Sequence, residues 1–505
     1  MNFLKVLVIC LMVTGFVSGC VSLRQTYPVA APKFPNSPPA SPTPDPLVFY
    51  IPNLAKEYQP VLQEMKEATR YTISIRIEDS ITEISGNQEV HYTNTETIPL
   101  TEVYFRLFPN VGGDYMTVTR LAVDGQPAEI NMEHRNTALR VDLPQALPPG
   151  GQTLISMDFL QNVPASMGGN YGLYIYLDDI LALDQFFPII PVYDDDEGWN
   201  VEDPPINADM LFADAAFFKV HVDAPQELVL AGSGIEISAT VQQGRQQVAF
   251  AGGPQRDFFL AASARFASAS ANFGETRVNS YFPEEYRESG EMVLQTALAA
   301  LRSFNQRFGL YPYTELDLIS TPMIALGMEY SAAITLSLDY YDPQRTLGAF
   351  PSPLYLESAA AHEVGHQWFF NQVMSDQIDE PWLDEGLVQY LTYLYYVDRY
   401  GAEQAQSYID SWYARWVRLD FEGIPIGKPA GEYTFEEYSP IVYGRAPLFF
   451  LTLKEELGEE VFNQLLHDYT ARYRWGIADT QAFKVMAEEA CACDLSPLFL
   501  HWVYD

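Results

Sequence analysis

Four cysteines, seven histidines and only 29 lysines and arginines stand among 505 residues, and each scarcity closes off a class of protein. Cys10 and Cys20 fall within the first twenty residues, which leaves Cys491 and Cys493 for the rest of the chain. A disulfide framework therefore cannot hold the fold together. With no second cysteine or histidine cluster at ligand spacing, that Cys-x-Cys pair is expected as two thiols. The shortage of basic residues against 66 acidic ones gives a net charge of −37. Such a surface repels nucleic-acid phosphates and anionic lipid headgroups, so no nucleic-acid partner is expected. Beyond the first twenty residues no stretch approaches about 18 uninterrupted apolar residues, which excludes a spanning helix there. What remains is an ordinary folded composition, 48% hydrophobic and 19% charged, in a chain long enough for about three domains.

The first residues, "MNFLKVLVICLMVTGFVSGC", carry Lys5, an apolar run from Val6 to Val17, and then small residues. That layout is a secretory signal, too short for a membrane span. Its end, Val17-Ser18-Gly19-Cys20, resembles the lipobox of bacterial lipoproteins, in which the cysteine is acylated and becomes the mature N-terminus. The resemblance implies a lipid anchor at Cys20, attachment to the cell membrane and an extracytoplasmic location. Residues 28–46 then hold eight prolines. Proline fixes φ and removes a backbone donor, so this reads as an extended stalk reaching roughly 60 Å at about 3.1 Å per residue.

From Tyr71 the pattern alternates, with Ile73, Ile75 and Ile77 on one face and Thr72, Ser74 and Arg76 on the other. Similar runs separated by turn residues continue to about 270, which predicts an all-β sheet or sandwich. Helical spacing begins near 287, where Met292, Leu294, Leu298, Leu301 and Phe304 recur before Gly309. A strand in "ELDLISTP" and a glycine-bearing turn around "IALGMEYSAAITLS" follow. Long helices are then expected over 355–371, 384–399 and 402–416. The organisation expected is a signal at 1–20, a Pro-rich linker at 21–50, a β domain at 51–270 and a mainly helical domain at 271–505.

The chemistry concentrates in "AHEVGHQWFF". On a helix His362 and His366 lie one turn apart on one face, so both imidazoles can converge on one ion. Glu363 leaves beside that face, where its carboxylate can take a proton from water without being a ligand. A catalytic zinc needs a third protein ligand and an open position. "DEPWLDEGLVQYL" supplies Glu385, with eighteen residues between it and His366.

These motifs, with "LGMEY" and "VYGRA", resemble the aminopeptidase N-type zinc metallopeptidases, or membrane alanyl aminopeptidases, a gluzincin family. The likeness runs from about Tyr71 to Trp502. It implies an N-terminal β domain followed by a thermolysin-like catalytic domain, an α+β multidomain fold. It implies one zinc ion per chain held by His362, His366 and Glu385, with Glu363 as general base. Tyr443 would donate to the tetrahedral oxyanion, and Glu329 would bind the free α-amine of a peptide substrate. Two departures stand out. Leu326 and Tyr330 occupy the first and last positions of the family's Gly-x-Met-Glu-Asn, and the chain stops at Asp505 where many members continue into a helical domain that closes the cleft. A more open cleft is expected. The expected function is a zinc aminopeptidase acting outside the cytoplasm. The alternatives are a zinc endopeptidase or epoxide hydrolase on the same scaffold, and a peptide-binding surface lipoprotein without catalysis.

Overall fold

The computed structural model describes residues 47–505, apart from 168–169, 195–196, 204, 206–207 and 349. The signal segment, Cys20 and the proline stalk through residue 46 lie outside the described residues. Residues 47–50, read from sequence as the end of the linker, instead open a 3-10 helix, Leu47–Asn53. Tyr50 is the reason: its ring is fully buried against Phe217. No helix among the described residues is long and apolar enough to cross a membrane.

The N-terminal half is built on an eight-stranded sheet. At its centre Arg70–Ile77 buries Tyr71, Ile73, Ile75 and Ile77, the alternation seen in the sequence. That strand pairs antiparallel with Glu83–Thr93 and parallel with Ala216–Pro225. A three-stranded sheet made of Leu100–Arg106, Ala138–Leu147 and Asn131–Glu133 contributes Val103, Phe105, Leu139 and Val141 to the same core. Burying one face of each sheet against the other is how half-polar strands find an apolar partner.

A five-stranded sheet opens the second half, in the order Phe266–Phe273, Thr276–Pro283, Glu315–Thr321, Ala333–Ser337, Gly327–Tyr330. The boundary at 270 drawn from composition falls inside its first strand. Glu315–Thr321 runs parallel to both neighbours and is buried along nearly its whole length, as a strand covered on both faces must be. Helix α1, Arg287–Phe308, packs on this sheet through Val293, Leu294, Ala297, Leu301 and Phe304. The segment read as a glycine-bearing turn is a correction: Gly327–Tyr330 and Ala333–Ser337 form an antiparallel pair. Only Ser331 and Ala332 turn, and Ala332 takes a positive φ of 57°.

The helices that follow are α2 (Ser352–Gly365), α3 (Leu387–Tyr400) and α4 (Ala402–Trp416). Helix α2 is sunk in the core, where Leu356, Ala359, Ala360, Ala361 and Val364 are all buried. The three consecutive alanines favour helix and leave room for neighbours to approach. Arg256 ties the two halves together. It is fully buried and donates to the carbonyls of Asn371 at 3.1 Å, Ala213 at 3.3 Å and Gly476 at 2.6 Å.

Cys491 and Cys493, expected as thiols, are joined in a disulfide. The helix Thr480–Cys491 ends there, and Ala492 adopts a left-handed conformation that folds Cys493 back beside Cys491. A local turn, not a ligand pattern, brings the sulfurs together.

Candidate metal centre and active-site cavity

Helix α2 presents His362 and Glu363 near its end, and His366 sits at its C-cap. Glu385 comes from a π-helical turn, Trp382–Gly386, that leads into α3. A π turn widens the helix by one residue and re-aims a side chain, which is why such turns gather at functional sites. Tyr443 stands in a second π turn, Ile441–Arg445. Glu329 lies on the edge strand Gly327–Tyr330.

Three ligand atoms converge. His362 Nε2 lies 3.1 Å from Glu385 Oε2 and 3.1 Å from His366 Nε2, and His366 Nε2 lies 3.6 Å from the same carboxylate oxygen. Around an ion bonded at about 2.0–2.1 Å in tetrahedral geometry, ligand atoms sit roughly 3.3 Å apart. The triangle therefore has the size and the donors of a zinc site. Two further observations fit the ion. All of His362, Glu363, His366 and Glu385 are buried, and Glu363 Oε2 has no hydrogen-bond partner among the described residues. Buried carboxylates also outnumber cations: Glu329, Glu363, Asp384 and Glu385 surround two imidazoles. A divalent cation would balance that excess.

The electrostatics follow from this crowding. Burial raises Glu363 well above the ordinary carboxylate range, although His366 pulls the other way. Burial likewise raises Glu329, again opposed by His366. For Glu385 burial also opposes ionisation, but hydrogen bonds from His362 and His366 outweigh it and hold the carboxylate charged. Burial lowers His362, so its imidazole is neutral and ready to ligate. His366 suffers the same burial, yet Glu329 and Asp384 overcome it and pull it well above its ordinary value. The positive charge that a proton brings to His366 is what a cation at Nε2 would bring in its place.

Supporting contacts orient these groups. His366 Nδ1 lies 2.9 Å from Asp384 Oδ1 and 3.1 Å from the Phe369 carbonyl. His362 Nδ1 faces Thr392 Oγ1 at 3.3 Å and Gln389 Nε2 at 3.4 Å. Gln377 divides its amide between Asp384 at 2.7 Å and Glu329 at 3.2 Å. Tyr443 donates its hydroxyl to Glu385 Oε1. Burial raises that phenol well above 10, so it remains a donor across the neutral range. Gln367, next to His366, clamps the turn of the edge hairpin: its Oε1 accepts from Ala332 N at 3.0 Å and its Nε2 donates to the Tyr330 carbonyl at 2.9 Å. Gly327 lies directly over the base, since a Cβ there would sit 2.3 Å from Glu363 Oε1.

All six site residues named from sequence within the described chain thus meet at one cavity of about 730 Å³, which also takes in Asp209, Tyr171, Arg415 and Arg418. Sequence reading missed Asp384, Gln377, Gln389 and Asp209. Asp384 had a signal, because it precedes Glu385 in "WLDEG". Asp209 had none. Burial, with Glu385 and Asp384 close by, pushes it up to about 8.

Residues 292–502 match the peptidase family M1 domain. Aminopeptidase M1-B of Oryza sativa subsp. japonica is 24% identical over 417 residues, covering 77% of this chain and 45% of that protein. Aminopeptidase N of Acetobacter pasteurianus is 28% identical over 185 residues, 35% of this chain and 51% of its own length. The chain spans about half the length of these relatives. Among solved structures, an M1 zinc metallopeptidase from Deinococcus radiodurans bound to a Tyr-Ser-Ala substrate superposes with a TM-score of 0.61 at 20% identity, covering 86% of this chain and 94% of that one. At that identity the likeness establishes the fold alone, which is shared with a structure described as a two-domain M1 zinc metallopeptidase at a TM-score of 0.64.

Proposed function

We propose that this chain, whose residues 292–502 are a peptidase family M1 domain of the aminopeptidase N type, is a zinc aminopeptidase that removes N-terminal residues from peptides. One observation carries the reading. A buried carboxylate, Glu329, lines the cavity 4.0 Å from His366 Nδ1, together with the triad and Glu363, whose Oε2 has no hydrogen-bond partner among the described residues. The α-ammonium of a chain end can meet this fixed carboxylate, and such pairing would select which bond lies over the base.

His362, His366 and Glu385 would hold the ion. When bound, zinc supplies a Lewis acid that makes water more acidic and polarises the scissile carbonyl. Glu363 takes the proton of the attacking water at Oε2 and passes it to the leaving amine nitrogen. Tyr443, which remains protonated, turns its hydroxyl from Glu385 to the carbonyl oxygen as charge develops. Asp384 keeps His366 oriented through Nδ1.

The same reading puts the enzyme outside the cytoplasm on a lipid anchor at Cys20, supported by the signal pattern and lipobox of residues 1–20. Acyl attachment of this kind is tested by Cys20→Ser, which moves the protein to the soluble fraction of a bacterial host. Activity is tested by turnover of a panel of aminoacyl fluorogenic amides, with and without a chelator. No turnover by zinc-loaded protein would refute the reading.

A further inference from the structure

Charges of both signs line the cavity. Glu329 and Asp209 occupy the side reached through His366. His362 points the other way, to Gln389, whose Oε1 accepts from the Tyr408 hydroxyl of α4 at 2.8 Å. Following α4 along this wall leads to Arg415 and, just past its end, Arg418. Both line the cavity, and neither forms an ion pair among the described residues. Arg415 is partly committed, donating to the Tyr443 carbonyl at 2.8 Å. Arg418 is exposed, and its guanidinium forms no hydrogen bond or ion pair among the described residues. Glu436 also lines the cavity, with no ion pair to either arginine among the described residues. In a chain with 66 acidic and 29 basic residues, two guanidinium groups that line this cavity and form no ion pair among the described residues are a local reversal.

We propose that Arg418, supported by Arg415, forms a carboxylate-binding subsite on the leaving-group side, and that the enzyme accordingly favours short peptides carrying an anion one or two residues past the scissile bond. This rests on the aminopeptidase reading above. With the α-amine at Glu329, the chain runs past the triad toward α4, gaining about 3.3–3.6 Å per residue. A cavity of about 730 Å³ takes a drug-sized occupant, roughly a tripeptide. The occupant that satisfies both ends is a zwitterion: ammonium at the acidic wall, carboxylate at the arginines. A guanidinium offers paired N–H donors matched to the two oxygens of that carboxylate. The anion has two sources, the free C-terminus of a short peptide or an aspartyl or glutamyl side chain.

The test compares kcat/KM for Ala-Ala-Ala, its C-terminal amide and Ala-Ala-Glu amide, with alanine p-nitroanilide as the reference for aminopeptidase action. Wild-type enzyme is expected to favour the anionic peptides over Ala-Ala-Ala amide by about 10-fold, mostly in KM. That ratio should fall toward one in Arg418→Gln, be partly kept in Arg418→Lys and invert in Arg418→Glu. Inversion is a gain that misfolding cannot produce. Preference for the free acid alone assigns the subsite to a chain end, and preference for the glutamyl amide alone assigns it to a side chain. Equal kcat/KM for all three peptides in wild type, or an unchanged ratio in Arg418→Gln, overturns the inference. Failure to cleave even alanine p-nitroanilide would remove the aminopeptidase reading and this inference with it.

Discussion

Asp384 Oδ1 and His366 Nδ1 are 2.9 Å apart, both side chains buried, so the carboxylate fixes which ring nitrogen faces the triad. A ligand histidine held this way loses less freedom on binding metal and is more basic at Nε2. Asp384→Ala should therefore weaken zinc affinity by about 10-fold to 100-fold. Asp384→Asn, which can still accept from Nδ1–H, should weaken it less. Competition against a chromogenic chelator measures both. Equal affinity in wild type and the alanine variant would show that Asp384 has no part in holding the ring.

The base can be disturbed in two ways that separate position from chemistry. Gly327→Ala sets a methyl 2.3 Å from Glu363 Oε1, so the carboxylate must move. Since displacement of a reacting group by about 1 Å can cost roughly 100-fold, kcat should fall by about 10-fold to 100-fold with zinc content unchanged. Glu363→Gln leaves shape and removes proton transfer, for a loss of about 100-fold or more. It also removes a buried carboxylate whose Oε2 is unpartnered, so its thermal midpoint should not drop. Metal analysis, single-substrate kinetics and calorimetry on the two variants check all three expectations.

How far the site could be read from sequence depended on whether a residue lay within one helix turn of a motif. His362, Glu363 and His366 follow helix spacing, and Glu385 follows from ligand counting, so four residues of the centre were legible. Helix α4 matched its expected span, 402–416, because its pattern ends at Gly401 and Trp416 without competing signals. The edge hairpin was misread because "IALGMEYSAAITLS" carries Gly and Ser, turn formers, at positions where pairing with a buried parallel strand decides the conformation. Gln377 and Asp209 could not be found, since only tertiary packing brings Gln377 to Glu329 and Asp209 to the cavity. The disulfide was missed because its closure depends on one left-handed residue, Ala492, which composition does not announce.

Asp257 links stability to pH at the hairpin that carries Glu329. Its Oδ1 accepts from Ser331 N at 2.8 Å, in the turn between the two strands. Burial pushes the carboxyl up to about 7, against an ordinary 3.8. A carboxyl raised in the folded state contributes stability that is fully present below its ordinary value and is lost as pH rises to about 7. Wild-type protein should thus lose on the order of 2–4 kcal/mol through this group between pH 4 and pH 8. Asp257→Asn keeps the acceptor and removes the titration. Its stability relative to wild type should grow from pH 5 to pH 8 in chemical denaturation. A constant difference across that range would show that Asp257 is ionised throughout.

The amine anchor is the part of the reading with the most at stake, because Tyr330 follows Glu329 where the resembling family has asparagine. Here Tyr330 is buried and stacks on Phe259, with ring centroids 4.3 Å apart, while its carbonyl is held by Gln367. That packing fixes the backbone of the strand and leaves Glu329 facing the cavity. Glu329→Ala should then raise KM and lower kcat/KM for free-amine peptides by about 30-fold to 1,000-fold, since the lost contact also positions the scissile bond. Zinc content should stay the same, because His362, His366 and Glu385 all remain. N-acetylated peptides should already be poor substrates of the wild type, and the substitution should scarcely change them. Glu329→Gln separates charge from shape: if ion pairing with the ammonium matters, glutamine should lose nearly as much as alanine. Equal cleavage of acetylated and free peptides by the wild type would mean that the carboxylate at the end of the cavity does not choose the bond, and that the enzyme cuts within chains.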